Sequence, residues 1–302
     1  MFDIETVAGL TNVPAATLRN WEKRYGVISP LRTEGGHRLY SLEQVLTLKK
    51  VAALTQEGHK LSALFELLAT QCELPQLKAD SFSLNQEHQD MRQRLFDDLS
   101  SYRIESGTAL LDILHGLLPV DILLDGIYFW IMHKLGEQWQ VGALSVATEH
   151  MISAILHGRL FRLLASPTQN LNRRALVFAC TEGERHEGGL LMLACHMKIR
   201  GWSCVYLGTG LPTSELKEVI DRLEPSLVCL SYTTTCPDWK AIAELGSATA
   251  RICIGGASRD LKAPSTLPDG VYIFDRGGRQ AADHLEVMAH LETSMRSMRK
   301  TS

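Results

Sequence analysis

The sequence predicts a multidomain protein of α and α/β class. Three observations carry that expectation. Residues 2–70 hold short amphipathic segments separated by tight turns, residues 92–164 run at helical period, and residues 174–298 alternate short apolar runs with helical ones. A chain of 302 residues is long enough for two or three domains. The hydrophobic share of 45% and charged share of 22% are those of a soluble globular protein. A net charge of −3 excludes a general polyanion binder, so any nucleic-acid contact must come from a local patch. Met1 is followed at once by Asp3 and Glu5, which reads as no signal peptide, and no stretch approaches the ~18 uninterrupted apolar residues of a membrane span. Cys72, Cys180, Cys195, Cys204, Cys229, Cys236 and Cys253 form no C-x-x-C pair and mostly sit in apolar runs. They read as reduced, buried thiols of a cytoplasmic protein.

In chain order, Ile4 to Leu10 is a short amphipathic helix and Thr11-Asn12-Val13-Pro14 a turn. Pro14 suits the start of a second helix reaching Tyr25, and two short helices about a tight turn make a helix-turn-helix. The second helix carries Thr17, Arg19, Asn20, Lys23 and Arg24, side chains able to meet phosphates and base edges in a major groove. After the break at Gly26–Pro30, Arg32 to Tyr40 mixes basic and turn residues, and Gly35-Gly36 permits a hairpin wing. Ser41 caps a longer helix from Leu42 to Glu57, and Leu61 to Leu68 is a further helical stretch.

Basic helices are usually just solvated faces. The ordered set L-R-N-W-E-K-R-Y-G-V-I-S-P-x-R-T-x-x-G-H-R-L-Y, from Leu18 to Tyr40, is far more specific. It resembles the winged helix-turn-helix of the MerR family of transcription regulators. The resemblance implies DNA-contacting or wing-packing roles for Arg19, Trp21, Tyr25, Arg32, His37, Arg38 and Tyr40, with Arg19, Arg38 and Tyr40 expected at phosphates or bases. A few phosphate contacts give modest, salt-sensitive affinity, so two or more copies on a double-stranded operator are expected. No long heptad run follows Leu68, which places self-association elsewhere.

Residues 73–88, with Pro75 and no sustained periodicity, read as a linker after a first domain at 1–72. Four helices are predicted at Glu87–Ser101, Ile104–Leu117, Pro119–Gly142 and Ser145–Leu164, which pack by default as a four-helix bundle, taken as a domain at 89–168. Trp139, Glu149 and His150 lie within it; a bundle Trp is more often core than binding site.

From 169 to 302 the strand-like runs Arg174–Cys180, Ser203–Leu207, Leu227–Ser231, Arg251–Ile254 and Val271–Phe274 alternate with helical ones. This predicts a parallel sheet of Rossmann-like (flavodoxin-like) form. No G-x-G-x-x-G follows the first strand, which disfavours a nicotinamide or flavin dinucleotide. The first strand instead leads into Glu184-Arg185-His186-Glu187-Gly188-Gly189. Glu184 could accept from one ring nitrogen of His186 and leave the other as a lone-pair donor, the usual arrangement of a metal-ligating histidine. Later strands end in Gly208-Thr209-Gly210, Ser231-Tyr232-Thr233-Thr234 and Gly255-Gly256, where glycines allow close approach and hydroxyls offer hydrogen bonds to a long polar ligand.

Together, in order, these loops resemble the cobalamin-binding domain with its D/E-x-H-x-x-G, S-x-T and G-G signature. The resemblance implies that His186 is the lower cobalt ligand and that Glu184 orients it. Gly189 would admit the macrocycle, and Ser231, Thr233, Gly255 and Gly256 would line the cleft for the nucleotide tail. The spacing W-x(9)-E-H, Trp139 to Glu149-His150, resembles the helical cap of the cobalamin-dependent photoreceptor regulators of the CarH/LitR family, where these residues flank the 5′-deoxyadenosyl group. Domain order agrees over nearly the whole chain. One position departs: light-sensing members carry a His after the Trp, and here it is Gln140. An amide is a poor cobalt ligand. Either His133 or His150 substitutes, or the light state lacks paired histidine ligation, or light is not sensed.

The expectation is therefore a cytoplasmic regulator rather than an enzyme. It would be a repressor holding adenosylcobalamin, assembled on DNA as a dimer or tetramer in the dark and dispersed by light. The alternative is a light-independent cobalamin-responsive regulator. A corrinoid methyl carrier would share the helical cap and cobalamin domain, but the winged reader argues against it. A vestigial site in an interaction module would make His186 dispensable.

Overall fold

The computed structural model describes the chain except residues 34, 57, 71–83, 168–173, 247–249, 257–263, 265, 275–276 and 301–302. It divides into two compact units, Met1–Ser81 and Phe82–Ser302. The expected linker at 73–88 falls largely outside the described residues, which resume at Leu84.

In the first unit, helix α1 (Ile4–Thr11) starts where the Asp3 carboxylate accepts from the Thr6 N–H at 2.8 Å. Helix α2 (Ala15–Tyr25) begins after Pro14 and stops at Gly26, whose φ of +67° suits the left-handed exit. Strands β1 (Leu31–Arg32) and β2 (Arg38–Leu39) pair antiparallel as the wing. Helix α3 (Leu42–Gln56) opens on a reciprocal cap: Ser41 Oγ accepts from the Gln44 N–H, and Gln44 Oε1 accepts from the Ser41 N–H. Helix α4 (Leu61–Ala69) then brings Phe65 under the reading helix. The Phe65 ring stacks on Tyr25 at 4.4 Å and meets Trp21 edge-on at 5.6 Å. These two aromatics thus serve packing, which frees the opposite face of α2 for a ligand.

The second unit starts with α5 (Gln86–Ser100) and α6 (Ile104–Leu117), pressed together at Gly107, where an added Cβ would lie 2.6 Å from the Leu99 side chain. The helix expected over Pro119–Gly142 is made of α7 (Val120–Leu123), a π turn (Leu124–Phe129) and α8 (Trp130–Gln140). A π turn rearranges the backbone hydrogen-bond ladder. The Gly126 carbonyl, inside it, accepts from Arg92 Nη1 at 2.8 Å. Helix α9 (Val146–Leu164) is capped by Ser145.

Strands β3 (Leu176–Cys180), β4 (Cys204–Tyr206), β5 (Leu227–Ser231), β6 (Arg251–Gly255) and β7 (Val271–Ile273) form one parallel sheet in the order β4-β3-β5-β6-β7. Helices α10 (Gly188–Ile199), α11 (Thr213–Leu223), α12 (Trp239–Gly246) and α13 (Gly278–Lys300) connect or close it. The chain runs outward in both directions from β3 and β5, so the crevice over their carboxyl ends is the topological switch point, where such folds bind ligands. Leu191, Met192 and Cys195 of α10 belong to the same apolar core as Leu95, Leu111 and Ile152 of the helical bundle. The bundle and α10 therefore share a core.

Phe65 is 2% exposed and stacked against two other rings. Phe65→Ala is expected to destabilise the first unit by roughly 3 kcal/mol. Urea unfolding followed by tryptophan fluorescence would show an early transition moving to lower urea, with the transition of the second unit unchanged.

Candidate functional site

Glu184 is the centre of the site. Its side chain is 0% exposed, at the end of β3. Oε1 accepts from the backbone N–H of Arg185 at 2.9 Å and of His186 at 2.8 Å, and from the Thr234 hydroxyl at 3.2 Å. Oε2 accepts from the backbone N–H of Thr233 at 2.6 Å and of Thr234 at 2.8 Å. Burial by itself pushes this carboxyl up. The N–H groups of Thr234, His186 and Thr233 and the His186 ring outweigh it and hold it at about 2. An ionised Glu184 can only accept, so the His186 Nδ1, 3.0 Å from Oε1, carries its proton and donates. Nε2 of that tautomer keeps its lone pair, and the ring is 59% exposed. One carboxylate thereby ties the β3 loop to the β5 loop.

The next residue, Glu187, is also held. Tyr206 donates to Oε2 at 3.0 Å, and His157 Nδ1 lies 3.5 Å from Oε1. Burial raises the Tyr206 phenol, keeping it a donor, and lowers the His157 imidazole in spite of Glu187 and Glu149. Cys180, below the loop, is pushed up to about 12 by burial and by the two glutamates, so it remains a thiol and not a thiolate ligand. Among the described residues no three His, Cys, Asp or Glu side chains gather to hold a metal ion. A single imidazole is what this loop offers.

Beside the loop lies a cavity of about 240 Å³. Ser231, Thr233, Gly255 and Gly256, the residues expected along a cleft, line it, and so does Gly189. Gly256 has a φ of +130°, and a Cβ there would fall 1.7 Å from the Tyr232 carbonyl oxygen, so only glycine fits. A Cβ on Gly189 would meet nothing within 4 Å, consistent with open space above it. Phe129 of the π turn, Cys229, Cys253 and Gly278 also line the cavity and were not legible in the sequence. The Gly277-Gly278 pair before α13 was the missed signal.

The helical bundle meets this loop at Gly188, where a Cβ would lie 2.9 Å from Met132 Sδ and 3.3 Å from His157 Nε2. Trp139 is seven residues beyond Met132 on α8, and His150 is seven residues before His157 on α9. Both therefore sit on the loop-facing sides of their helices, displaced by about 10 Å along the axes. Trp139 is 49% exposed, and the His150 side chain 75%. Trp139 is thus not a core residue of the bundle. Glu149 accepts from Ser153 Oγ at 2.7 Å and lies 3.5 Å from His150. Gln140 is exposed at the end of α8. His133 is exposed beside Glu137 at 3.4 Å.

On α2, Arg19, Asn20, Lys23 and Arg24 are exposed and Thr17 is half-buried. Arg19 is 3.7 Å from Glu5, an exposed pair of little worth. His37 is exposed at the wing. Tyr40 requires correction. Tyr40, expected at a phosphate or base, is fully buried: its main chain bridges to Phe2, and burial raises its phenol. Arg38 and Arg32 both pair with Glu22 of α2, Arg32 at 3.1 Å, and so anchor the wing to the reading helix. The physical reason is the two-residue wing strand, which turns Tyr40 inward as it leads into α3.

Glu184 sits well below its ordinary value of 4.5, so its contribution to stability is complete above that pH and is lost as pH falls toward 2. The gap in urea midpoint between wild type and Glu184→Gln should be largest at pH 6 and shrink steadily below about pH 4.5.

Residues 2–71 match the family described as MerR HTH family regulatory protein. The chain is 33% identical over 231 residues to the HTH-type transcriptional repressor CarA of Myxococcus xanthus, covering 76% of this chain and 75% of that one. It is 30% identical over 234 residues to the HTH-type transcriptional repressor CarH of the same organism, covering 76% and 78%. Among solved structures, the Methanosarcina barkeri monomethylamine corrinoid protein aligns at a TM-score of 0.48 and 15% identity, over 67% of this chain and 99% of that one. By its identity to CarA and CarH across three quarters of its length, the chain belongs to their family of MerR-type HTH transcriptional repressors.

Proposed function

We propose that this chain is a DNA-binding repressor that holds adenosylcobalamin and releases its operator in light. The observation that carries the reading is the buried Glu184 carboxylate fixing His186 in the Nδ1–H tautomer beside the tail-sized cavity. The residues fit the group. One imidazole suits a metal whose equatorial ligands come from a macrocycle. A cavity of about 150 Å³ holds a benzene, so the larger cleft here has room for a bicyclic base. Ser231 and Thr233 supply polar contacts, and Gly255 and Gly256 let the ligand approach the backbone. Trp139, Glu149 and His150 flank the upper side.

On this reading residues 1–72 form the DNA reader, 89–168 the helical cap and 169–302 the cofactor domain. When bound, adenosylcobalamin supplies a cobalt–carbon bond that light breaks. This chain's part is to hold the ring on His186 and to pack Trp139 and Glu149 over the upper group. Loss of that packing loosens the cap and with it a homodimer or homotetramer on double-stranded DNA. Driving such a switch nearly to completion takes about 5.5 kcal/mol of differential binding. Arg19, Asn20, Lys23 and Arg24 read the major groove, with Thr17 and His37 at its edges. Arg32 and Arg38 act through Glu22. The family is one of repressors, so methyl transfer is not its task.

Gln140 favours a second reading, in which the protein answers to cobalamin supply and not to light. His150, on the loop-facing side of α9, is the better placed replacement ligand; it and His133 each lie beside a glutamate, at 3.5 and 3.4 Å.

Two measurements test the proposal. Size-exclusion chromatography in the dark should show cobalamin absorbance co-eluting with an oligomer that falls apart under green light. His186→Ala should lose co-elution. An oligomer that carries cobalamin but ignores light would support the second reading, and no co-elution would refute both. Separately, Arg19→Ala and Lys23→Ala should weaken operator binding, each lowering the slope of log affinity against log salt by about 1.

A further inference from the structure

One wall of the cavity comes from the helical cap. Phe129, the last residue of the π turn, lines it together with Gly277 and Gly278. The Phe129 ring would lie 3.7 Å from a Cβ on Gly277. It is 45% exposed, although Tyr128 before it and Ile131 after it are in the core. A phenyl in this place has one edge on protein and the other on the cavity.

A polar chain stands behind it, buried at His196 and partly exposed at its other members. His196 of α10 is 1% exposed and donates Nε2–H to Asp125 Oδ1 at 2.9 Å. Arg279 of α13 reaches Asp125 Oδ2 at 3.2 Å and Asp121 Oδ2 at 2.9 Å. Gly278, with φ +56°, would place a Cβ 3.2 Å from Asp125 Oδ1. Asp125 and Phe129 are four residues apart in the same π turn, nearly one turn of such a helix, so both point toward α13. Pinning Asp125 therefore sets the direction of Phe129. Ion pairs that stay partly open to water add little net stability. What this one supplies is a fixed orientation at the junction of α7, the π turn, α10 and α13.

We propose that Phe129 is a specificity-determining contact for the nucleotide tail of the cofactor, and that the His196–Asp125–Arg279 chain is the positioning device that holds it there. The inference rests on the cobalamin reading above. It makes the helical cap a reader of the tail as well as of the upper ligand. Corrinoids lacking the tail would then bind without engaging the cap through Phe129.

The test compares dark binding of adenosylcobalamin and of adenosylcobinamide, which has the same ring and upper group but no nucleotide tail. Equilibrium dialysis of the full chain would use wild type, Phe129→Ala, Phe129→Tyr and Asp125→Asn. Phe129→Ala should weaken adenosylcobalamin binding by about tenfold, the scale of one aromatic contact, and leave adenosylcobinamide unchanged. Phe129→Tyr should restore the preference. Asp125→Asn should lose it in part, and His196→Gln takes its place if that variant does not fold. Equal losses on both probes, or none on either, overturn the inference while the cobalamin reading, carried by wild-type binding, stands. Failure of wild type to bind either probe overturns the cobalamin reading as well.

Discussion

A single buried carboxylate organises the site. Glu184 joins the loops after β3 and β5 by accepting from both at once, its partners Thr233 and Thr234 lying 49 and 50 residues further along the chain. Its charge is stabilised because every neighbour turned toward it is a donor. The same charge sets the His186 tautomer, and the tautomer decides which ring nitrogen has a lone pair to offer. Loop geometry, protonation and ligand capacity thus follow from one interaction.

The bundle is not an appendage to this site. It shares a core with α10, approaches the loop at a glycine, and contributes a wall to the cavity. Gly188 is small so that Met132 and His157 can lie against the loop, and that approach orients the rest of α8 and α9. Trp139 and His150 are exposed as a result of the same geometry: they are two turns beyond the point where the surfaces touch.

In the first unit, pairing with Glu22 divides arginines that look alike in sequence. Arg19, Lys23 and Arg24 face solvent, while Arg32 and Arg38 converge on Glu22. The first group can meet phosphates directly. The second ties the wing to α2.

The sequence by itself determined the element order, nearly every helix and strand, and the loop residues Glu184, His186, Ser231, Thr233, Gly255 and Gly256. These are local properties: apolar period, cap residues and glycine-bearing loops at strand ends. Only the tertiary structure decided which arginines pair with Glu22, that Tyr40 turns inward, that the long third helix of the bundle contains a π turn, and that Phe129 reaches the cavity. Each depends on residues far apart in the chain meeting in space. A helical period cannot register one extra residue in a turn, and an alternating pattern of two-residue strands is too short to say which face is buried. The side chains of Asp125, His196 and Arg279 carry no shared motif; their relation exists only once α10, α13 and the π turn have packed.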